Sequence, residues 1–185
     1  MPDTGRHEYW MQVSVLRLGH RLVRDTRMTT HVALVSRAFG CQKIYMTYLD
    51  NSVEKTINDV NANWGGNDEF EIECVSEWKP LVQSWKKSGG IIVHLTMYGI
   101  NINNLLPGID TKRKILIIVG ASKVPKEIYS IADYNIALGH KPHSEVSALA
   151  VFLDRLFEGR ELTRTFNDAK IRIIPSQNGK RVKID

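Results

Sequence analysis

Short apolar runs recur along the chain, separated by stretches in which apolar residues return every three or four positions. Runs of about four to eight apolar or alternating residues are typical of strands, and a spacing of about 3.6 is typical of helices. The pattern predicts strands at 11–19, 43–49, 70–75, 91–95, 114–120 and 134–138. It predicts helices near 31–39, 52–64, 79–88, 125–132 and 144–157. Strands that alternate with helices predict an α/β fold with a mainly parallel sheet.

The strongest run, KILIIVG at 114–120, is apolar at almost every position, as expected for a central strand covered on both faces. The 185 residues fit one domain, which we place at 11–159. Residues 1–10 are then an N-terminal extension. Residues 160–185 are a C-terminal extension, in which AKIRIIP predicts one more strand before a basic tail.

Three loops follow apolar strands at the edge where parallel sheets bind ligands, outside the carboxyl ends of the strands. They cover 94–99, 119–125 and 138–144. None has the glycine spacing of a dinucleotide fingerprint or a P-loop, so neither of those sites is indicated. Their small residues and free backbone amides suit close contact with a flat group that forms hydrogen bonds.

The net charge of +5 is concentrated in two segments. Residues 17–37 contain five arginines and one acidic residue, and residues 160–185 contain seven basic and three acidic residues. Two basic patches on a nearly neutral body fit a polyanionic partner such as nucleic acid. An arginine-rich surface that only contacts solvent explains the same composition, and charge alone does not separate the two interpretations.

Cys41 and Cys74 lack the spacing of a metal or redox motif, and we expect both to be buried free thiols. His140, His143 and Glu145 are close in the chain, but without a third histidine nearby they do not predict a zinc site. We therefore expect no metal. No apolar run reaches the roughly 18 residues that cross a bilayer, and the N-terminus lacks a signal-peptide core. We therefore expect a cytoplasmic protein without a membrane partner.

Three segments resemble one family: LRLGHRLVRDTRMTTHVALVSRAFG, HLTMYG and VGASKVPKEIYSIADYNIALGHKPHSEVSALAVFLDRL. In this spacing they are similar to the archaeal tRNA (cytidine-56-2′-O)-methyltransferases of the SPOUT superfamily. The resemblance covers roughly residues 13–175. It implies a sheet with a deep C-terminal trefoil knot, S-adenosyl-L-methionine bound in the knot loops, and a homodimer. It also implies 2′-O-methylation of a T-loop cytidine in tRNA.

The wider group of ribose-methylating SPOUT enzymes shares three motifs, and this chain matches them in part. Ala38-Phe39-Gly40 match the end of the first motif, whereas the arginine of that motif falls on Leu34. Ala121-Ser122 replace the Asn-Glu of the second motif. Glu145 and Ser147 stand where the third motif has asparagine and serine. These departures are those of the archaeal subfamily.

The resemblance assigns the cofactor to the backbone of the three loops, with apolar side chains around the adenine. The implied cofactor-binding residues are Leu95, Gly120, Ala121, Ser122, Lys123, Val124, Ala137, Leu138, Gly139, His140, Lys141, Pro142, His143 and Ser144. A simpler interpretation makes Leu95 and Leu138 core residues at strand ends. Ser144 likewise has a simpler interpretation as the N-cap of the last helix.

Attack by a ribose 2′-hydroxyl needs an oriented substrate and a group that polarises or deprotonates the hydroxyl. Arg21 is the first catalytic candidate because it follows the first strand directly, and Arg27 and His31 come next. An arginine normally stays protonated, so it would orient the substrate phosphate and stabilise the nucleophile. Phosphate contacts are expected from Arg17, His20, Arg24, Lys180, Arg181 and Lys183.

Two other functions fit the same residues. A non-catalytic RNA-binding module would use the basic patches beside a degenerate pocket, and the missing first-motif arginine favours it. A SPOUT enzyme for another RNA position would keep the chemistry and change the target. Mapping the methylated nucleotide separates both from the leading hypothesis.

Overall fold

The computed structural model of the protein describes residues 11–19, 26–121 and 123–184. The strands are β1 (Val13–Leu18), β2 (Lys43–Met46), β3 (Glu71–Cys74), β4 (Ile91–Asn101), β5 (Ile115–Gly120), β6 (Tyr134–Ala137), β7 (Ile171–Ile173) and β8 (Val182–Ile184). The α-helices are α1 (Thr26–Ala38), α2 (Asn51–Trp64), α3 (Trp78–Lys87), α4 (Ile102–Leu105), α5 (Lys126–Ile131) and α6 (Glu145–Phe157). Short 3-10 helices lie at Leu106–Gly108 and Arg160–Thr163.

The strands β1 to β6 form one parallel sheet in the order β3-β2-β1-β5-β4-β6. This confirms the predicted α/β fold with a mainly parallel sheet. The strand order reverses between the central strands β1 and β5, where Val13 pairs with Ile115 and Leu18 with Gly120. At such a switch point the loops at the carboxyl ends of the strands diverge to opposite sides, which leaves a crevice for a ligand.

Both faces of the sheet are buried, because side chains of the central strands alternate between two cores. Val13, Val15 and Ile117 face one core, to which α1, α2 and α6 contribute. Leu16 and Ile118 face the other core, which contains side chains of α3 and α5. Burial on both faces explains why β1 and β5 are apolar at nearly every position.

Strand β4 is longer than the predicted strand because it continues past a bulge. Its register on β6 shifts between Leu95 and Ile100. Gly99 lies in this irregular stretch, where a Cβ would stand 2.4 Å from the carbonyl oxygen of Asn135 in β6. A residue without a side chain is therefore required at this position, and the chain predicted as a loop after Leu95 is strand held against β6.

Three predictions of local structure are wrong. Helix α1 begins at Thr26, before the predicted start near residue 31, and Thr29 within it is fully buried. Cys74 is exposed, whereas Cys41 is buried as predicted, and both thiols are free. The basic tail contains a strand of its own, since β8 pairs with β7 in an antiparallel hairpin.

Specific contacts anchor the segment after α6 to the turn between α2 and β3. The Asp168 carboxylate accepts hydrogen bonds from the backbone N–H groups of Gly66, at 2.6 Å, and Asn67, at 2.9 Å. These hydrogen bonds lower the pKa of Asp168 to about 2. The Arg37 guanidinium lies 4.4 Å from the ring centroid of Phe166. The hairpin of β7 and β8 extends beyond this anchor.

Gly99→Ala is expected to destabilise the protein, because the new methyl group meets the Asn135 carbonyl and the backbone must move. Overpacking of this kind costs about 1–3 kcal/mol. Thermal unfolding followed by circular dichroism should show a melting temperature several degrees lower. Gly108→Ala is the control, since nothing lies within 4 Å of a Cβ at Gly108. Equal melting temperatures for the two variants would contradict the role given to Gly99.

Candidate functional site

A cavity of about 220 Å³ opens at the carboxyl edge of the sheet. Three stretches of chain line it. They are 95–97 at the bulge of β4, Val119 and Gly120 at the end of β5, and the loop from Leu138 into the first turns of α6. The cavity therefore lies where the sequence pattern places the three loops, and where parallel sheets usually bind ligands.

The loop between β6 and α6 is fixed at both ends. On one side, Nδ1 of His140 lies 3.0 Å from the carbonyl oxygen of Met97, so the loop is tied to the β4 bulge. On the other side, Ser144 caps α6, and its hydroxyl oxygen accepts a hydrogen bond from the N–H of Val146 at 3.2 Å. Ser144 also lines the cavity, so the capping and ligand-binding interpretations of this residue are compatible.

A buried ion pair joins β1 to the first turn of α6. Oε1 of Glu145 accepts hydrogen bonds from Arg17, from Nη2 at 2.8 Å and from Nε at 3.3 Å. Nη1 of Arg17 donates to the carbonyl oxygen of Gly19 at 3.2 Å. The Arg17 side chain is 1% exposed and the Glu145 side chain 12%. Because Glu145 lines the cavity, the ion pair holds a carboxylate in the cavity wall.

The other carboxylate oxygen of Glu145, Oε2, is also buried. Within the described part of the chain it has no hydrogen-bond partner. A buried acceptor that lacks a donor costs free energy and calls for an explanation, such as a ligand that supplies the donor. The sequence marks Glu145 only as a departure from the asparagine of the third SPOUT motif.

The structure corrects the role of Arg17, which was predicted to hold a tRNA phosphate. Its guanidinium is 1% exposed and donates to Glu145 and to the Gly19 carbonyl, so it is not available to a phosphate at the surface. An arginine within an apolar strand signals a buried partner. That partner lies 128 residues further along the chain, at a distance that no local pattern reaches.

The first turn of α1 lies at the rim of the cavity. The Ser144 hydroxyl donates to the sulfur of Met28 at 3.8 Å, so the start of α1 contacts the loop before α6. Arg27 and His31 are exposed on α1, where they precede and follow Met28 in the chain. Three candidates lie outside the described residues and their roles stay predictions: His20, Arg21 and Arg24.

The cavity contains half of the residues predicted to bind the cofactor. These are Leu95, Gly120, Leu138, Lys141, Pro142, His143 and Ser144. The prediction missed Thr96, Met97, Val119, Glu145 and Ala148. Of the described residues, the predicted positions that do not line the cavity are Ala121, Lys123, Val124, Ala137, Gly139 and His140. Val124 packs on the core of the other sheet face, and Ala137 is fully buried; Ser122 lies outside the described residues.

His94 lies beside Leu95 and supports the cavity from within the sheet. The side chain is buried, with Nδ1 2.8 Å from Oδ1 of Asn135 and the ring edge-on to Tyr129 at 4.7 Å. Burial lowers the pKa of His94 below its ordinary 6.5, which favours the neutral ring. This histidine therefore fastens β4 to β6 and does not face the cavity.

The exposed basic residues predicted to contact RNA at the C-terminus lie on the hairpin. Lys180 and Arg181 line a groove of about 490 Å³ with Trp64 of α2, and Lys183 is exposed on β8. Among the described residues, no group of three or more histidine, cysteine or acidic side chains is placed to hold a metal ion. No helix in the described part of the chain has the length and apolar character of a membrane span.

Comparison with known proteins identifies relatives of this site and this fold. A family model described as tRNA ribose 2′-O-methyltransferase, aTrm56, matches residues 64–183. The tRNA (cytidine(56)-2′-O)-methyltransferase of Methanocaldococcus jannaschii is 55% identical over 175 residues, which cover 93% of this chain and 96% of that protein.

Solved structures share the fold at low sequence identity. The SpoU methyltransferase AviRb of Streptomyces viridochromogenes, in complex with AdoMet, has a TM-score of 0.60 at 12% identity and covers 83% of this chain and 60% of its own. The A. aeolicus TrmH/SpoU tRNA modifying enzyme has a TM-score of 0.59 at 17% identity and covers 82% of this chain and 77% of its own. The chain therefore has the fold of the SpoU/TrmH enzymes.

Arg17→Met is expected to lower the free energy of unfolding by about 3–5 kcal/mol, because it leaves the Glu145 charge buried without its partner. Urea unfolding at neutral pH measures the change. Lys55→Met is the control, since it breaks an exposed ion pair with Asp59 on α2, a type of pair that contributes only about 0.3–0.5 kcal/mol. If the free energy of unfolding falls by the same small amount in both variants, the buried pair does not hold β1 and α6 together.

Proposed function

This chain belongs to the aTrm56 family of tRNA ribose 2′-O-methyltransferases, and we propose from that premise how its residues act. It transfers a methyl group from S-adenosyl-L-methionine to the 2′-hydroxyl of cytidine 56 of tRNA. One observation carries the proposal for the site. The cavity at the carboxyl edge is built from the ends of β4 and β5 and the loop after β6, and the first turn of α1 lies at its rim.

The cavity suits S-adenosyl-L-methionine, which supplies a methyl group on a positively charged sulfur when it is bound. Leu95, Val119 and Leu138 offer apolar walls for the adenine, and Gly120 allows close approach to the backbone. The cavity is smaller than the roughly 300–1,000 Å³ of a typical small-molecule pocket. The cofactor would therefore also lie along the exposed stretch 141–144.

The basic segment between β1 and α1 orients the tRNA over the cavity. Arg21 would bind the phosphate next to the target ribose and stabilise the attacking oxygen, since a guanidinium stays protonated. Arg27 and His31, exposed at the start of α1, would complete this surface. The contact of Met28 with Ser144 supports the placement, because it brings the first turn of α1 to the rim of the cavity.

The C-terminal hairpin would contact a second part of the tRNA. Its groove includes Trp64, the last residue of α2. Helix α2 starts after the carboxyl end of β2, and its 14 residues span about 21 Å, so Trp64 lies towards the amino edge of the sheet. Lys180, Arg181 and Lys183 would therefore bind phosphates far from the methylated nucleotide, which adds affinity without choosing the target.

We also propose a homodimer in the cytoplasm, with the trefoil knot of the family. Three large apolar side chains are exposed near the site. Tyr98 and Ile100, on the irregular part of β4, are 77% and 55% exposed, and Val151, on α6, is 47% exposed. Exposed apolar side chains near a functional site support burial against a second copy. Sedimentation velocity measures the oligomeric state directly.

Methyl transfer to an unmodified tRNA transcript tests the proposed function. We expect one methyl group per transcript, located on cytidine 56 by mass spectrometry of ribonuclease fragments. A transcript with 2′-deoxycytidine at this position should accept none. A methyl group on another nucleotide would favour the SPOUT enzyme with a different target. Cofactor binding without transfer to any tRNA would favour the non-catalytic RNA-binding module.

Gly120→Trp is expected to abolish binding of S-adenosyl-L-methionine, because the indole occupies the cavity at the end of β5. Isothermal calorimetry should show a loss of affinity of about a hundredfold or more, since a bound ligand of this kind needs the cavity to bury most of its surface. Gly108→Trp is the control, because Gly108 faces open space on a 3-10 helix outside the cavity lining. Unchanged affinity in Gly120→Trp would place the cofactor elsewhere.

The double variant Lys180→Gln with Arg181→Gln is expected to raise the KM for tRNA and leave kcat nearly unchanged. Each lost phosphate contact should reduce the slope of log KM against log salt concentration by about one. Lys87→Gln with Lys112→Gln is the control, since both lysines are exposed and the charge change is the same. If the two double variants have the same salt dependence, the hairpin does not bind tRNA.

A further inference from the structure

We infer that Glu145 takes the proton of the target 2′-hydroxyl, through its Oε2 atom. The inference rests on the proposed function and goes beyond it, because it names the group that accepts the proton. It starts from one unexplained feature of the cavity. Glu145 lines the cavity, its Oε2 atom is buried, and among the described residues nothing donates a hydrogen bond to that atom.

The position of Glu145 is fixed by its other oxygen. Oε1 accepts two hydrogen bonds from Arg17, whose guanidinium is held in turn by the Gly19 carbonyl. The carboxylate therefore cannot turn its second oxygen away without breaking a buried ion pair. Gly19 is also the last described residue before the basic segment, so the ion pair of Arg17 and Glu145 lies next to the point where that segment begins in the chain.

Positive groups surround the Glu145 carboxylate. Its Oε1 atom is paired with the Arg17 guanidinium, and Glu145 lies in the first turn of the 13-residue helix α6, at the positive end of the helix dipole. Lys141 also lines the cavity and adds positive charge. One oxygen of this carboxylate is paired with Arg17, and the other has no partner within the described part of the chain. The second oxygen can therefore accept a hydrogen bond, and then a proton, from a hydroxyl.

The other polar groups of the cavity are less suited to this role. Lys141 is a cation, and the hydroxyl of Ser144 is already used to cap α6. His143 is exposed, and its Nδ1 lies 3.2 Å from the carbonyl oxygen of Ser144. Of the described residues that line the cavity, Glu145 alone offers a buried and uncommitted acceptor.

The step balances as a single displacement. The 2′-oxygen forms a bond to the methyl carbon while its O–H bond breaks and the proton passes to Oε2 of Glu145. The electron pair of the methyl–sulfur bond stays on the sulfur, which becomes neutral. One positive and one negative charge disappear together, and the products are a 2′-O-methyl ribose, a thioether and a protonated Glu145.

Glu145→Gln tests the inference, since glutamine keeps the shape and an oxygen for Arg17 but cannot take the proton. We expect kcat to fall by about 10²–10⁴-fold, the usual contribution of a general base. The Kd of S-adenosyl-L-methionine, measured by calorimetry, should stay within about threefold, because the carboxylate is assigned to the ribose and not to the cofactor. A large rise in this Kd with kcat unchanged would overturn the inference and make Glu145 a cofactor-binding residue.

Binding of two tRNAs gives a readout that does not depend on turnover. With S-adenosylhomocysteine present, the wild-type protein should bind a transcript with cytidine at position 56 about ten- to a hundredfold more tightly than one with 2′-deoxycytidine, which lacks the hydrogen bond to the carboxylate. Glu145→Gln should reduce this difference to about threefold or less. An equal difference in both proteins would show that Oε2 does not contact the hydroxyl.

Glu161→Gln is the matched control. Glu161 is also buried, 2% exposed, but it lies on the 3-10 helix after α6 and does not line the cavity. Burial raises the pKa of Glu161, so the neutral side chain suits that site and kcat should stay within about twofold. If Glu145→Gln does not fold, Arg17→Gln with Glu145→Gln leaves no unpaired buried charge and takes its place.

The outcomes separate this inference from the proposed function. If the wild-type protein methylates cytidine 56 and Glu145→Gln keeps kcat within about tenfold, another group takes the proton and the proposed function stands. If the wild-type protein methylates no tRNA, the proposed function fails first. A fall in kcat at constant cofactor affinity, together with the lost preference for the 2′-hydroxyl, supports the assignment of Glu145.

Discussion

The ion pair between Arg17 and Glu145 is the interaction on which the site depends. It connects the centre of the sheet to the start of the last long helix, two parts of the chain that are 128 residues apart. Two buried charges are tolerated because each satisfies the other, and removal of one leaves a costly charge in the core. The pair therefore fixes where α6 begins, and with it the end of the loop that covers the cavity.

The opposite side of the cavity is fixed by uncharged contacts around the bulge of β4. Gly99 lets β4 lie against the backbone of Asn135, and the side chain of Asn135 holds His94. The His140 ring then ties the covering loop to Met97 within the bulge. Most of the residues that shape the cavity therefore do not line it but support the residues that do. A site that has to hold a reacting atom in place needs such support.

The periodicity of apolar residues predicts the sheet well, because each central strand is buried on both faces and reads as a nearly continuous apolar run. Sequence pattern cannot predict the bulge of β4 or the partner of Arg17, since both depend on contacts between distant segments. The pattern also places the three loops, the resemblance to a family assigns the cofactor to them, and half of the predicted cofactor residues line the cavity. Val124 does not line the cavity, because its side chain packs on the core of α3 and α5.

The distribution of positive charge indicates how chemistry and recognition are divided. The start of α1, which follows the basic segment in the chain, lies at the cavity, whereas the hairpin packs beside the last residue of α2. Arginines and lysines can hold phosphates at both places, but none of them readily gives up its proton to become a base. Proton transfer then falls to an acidic side chain held among these cations. A neutral asparagine at position 145, as in the wider SPOUT group, could not take the proton, and it would remove the ion pair with Arg17. The arginine at position 17 in β1 therefore explains why glutamate replaces asparagine at position 145.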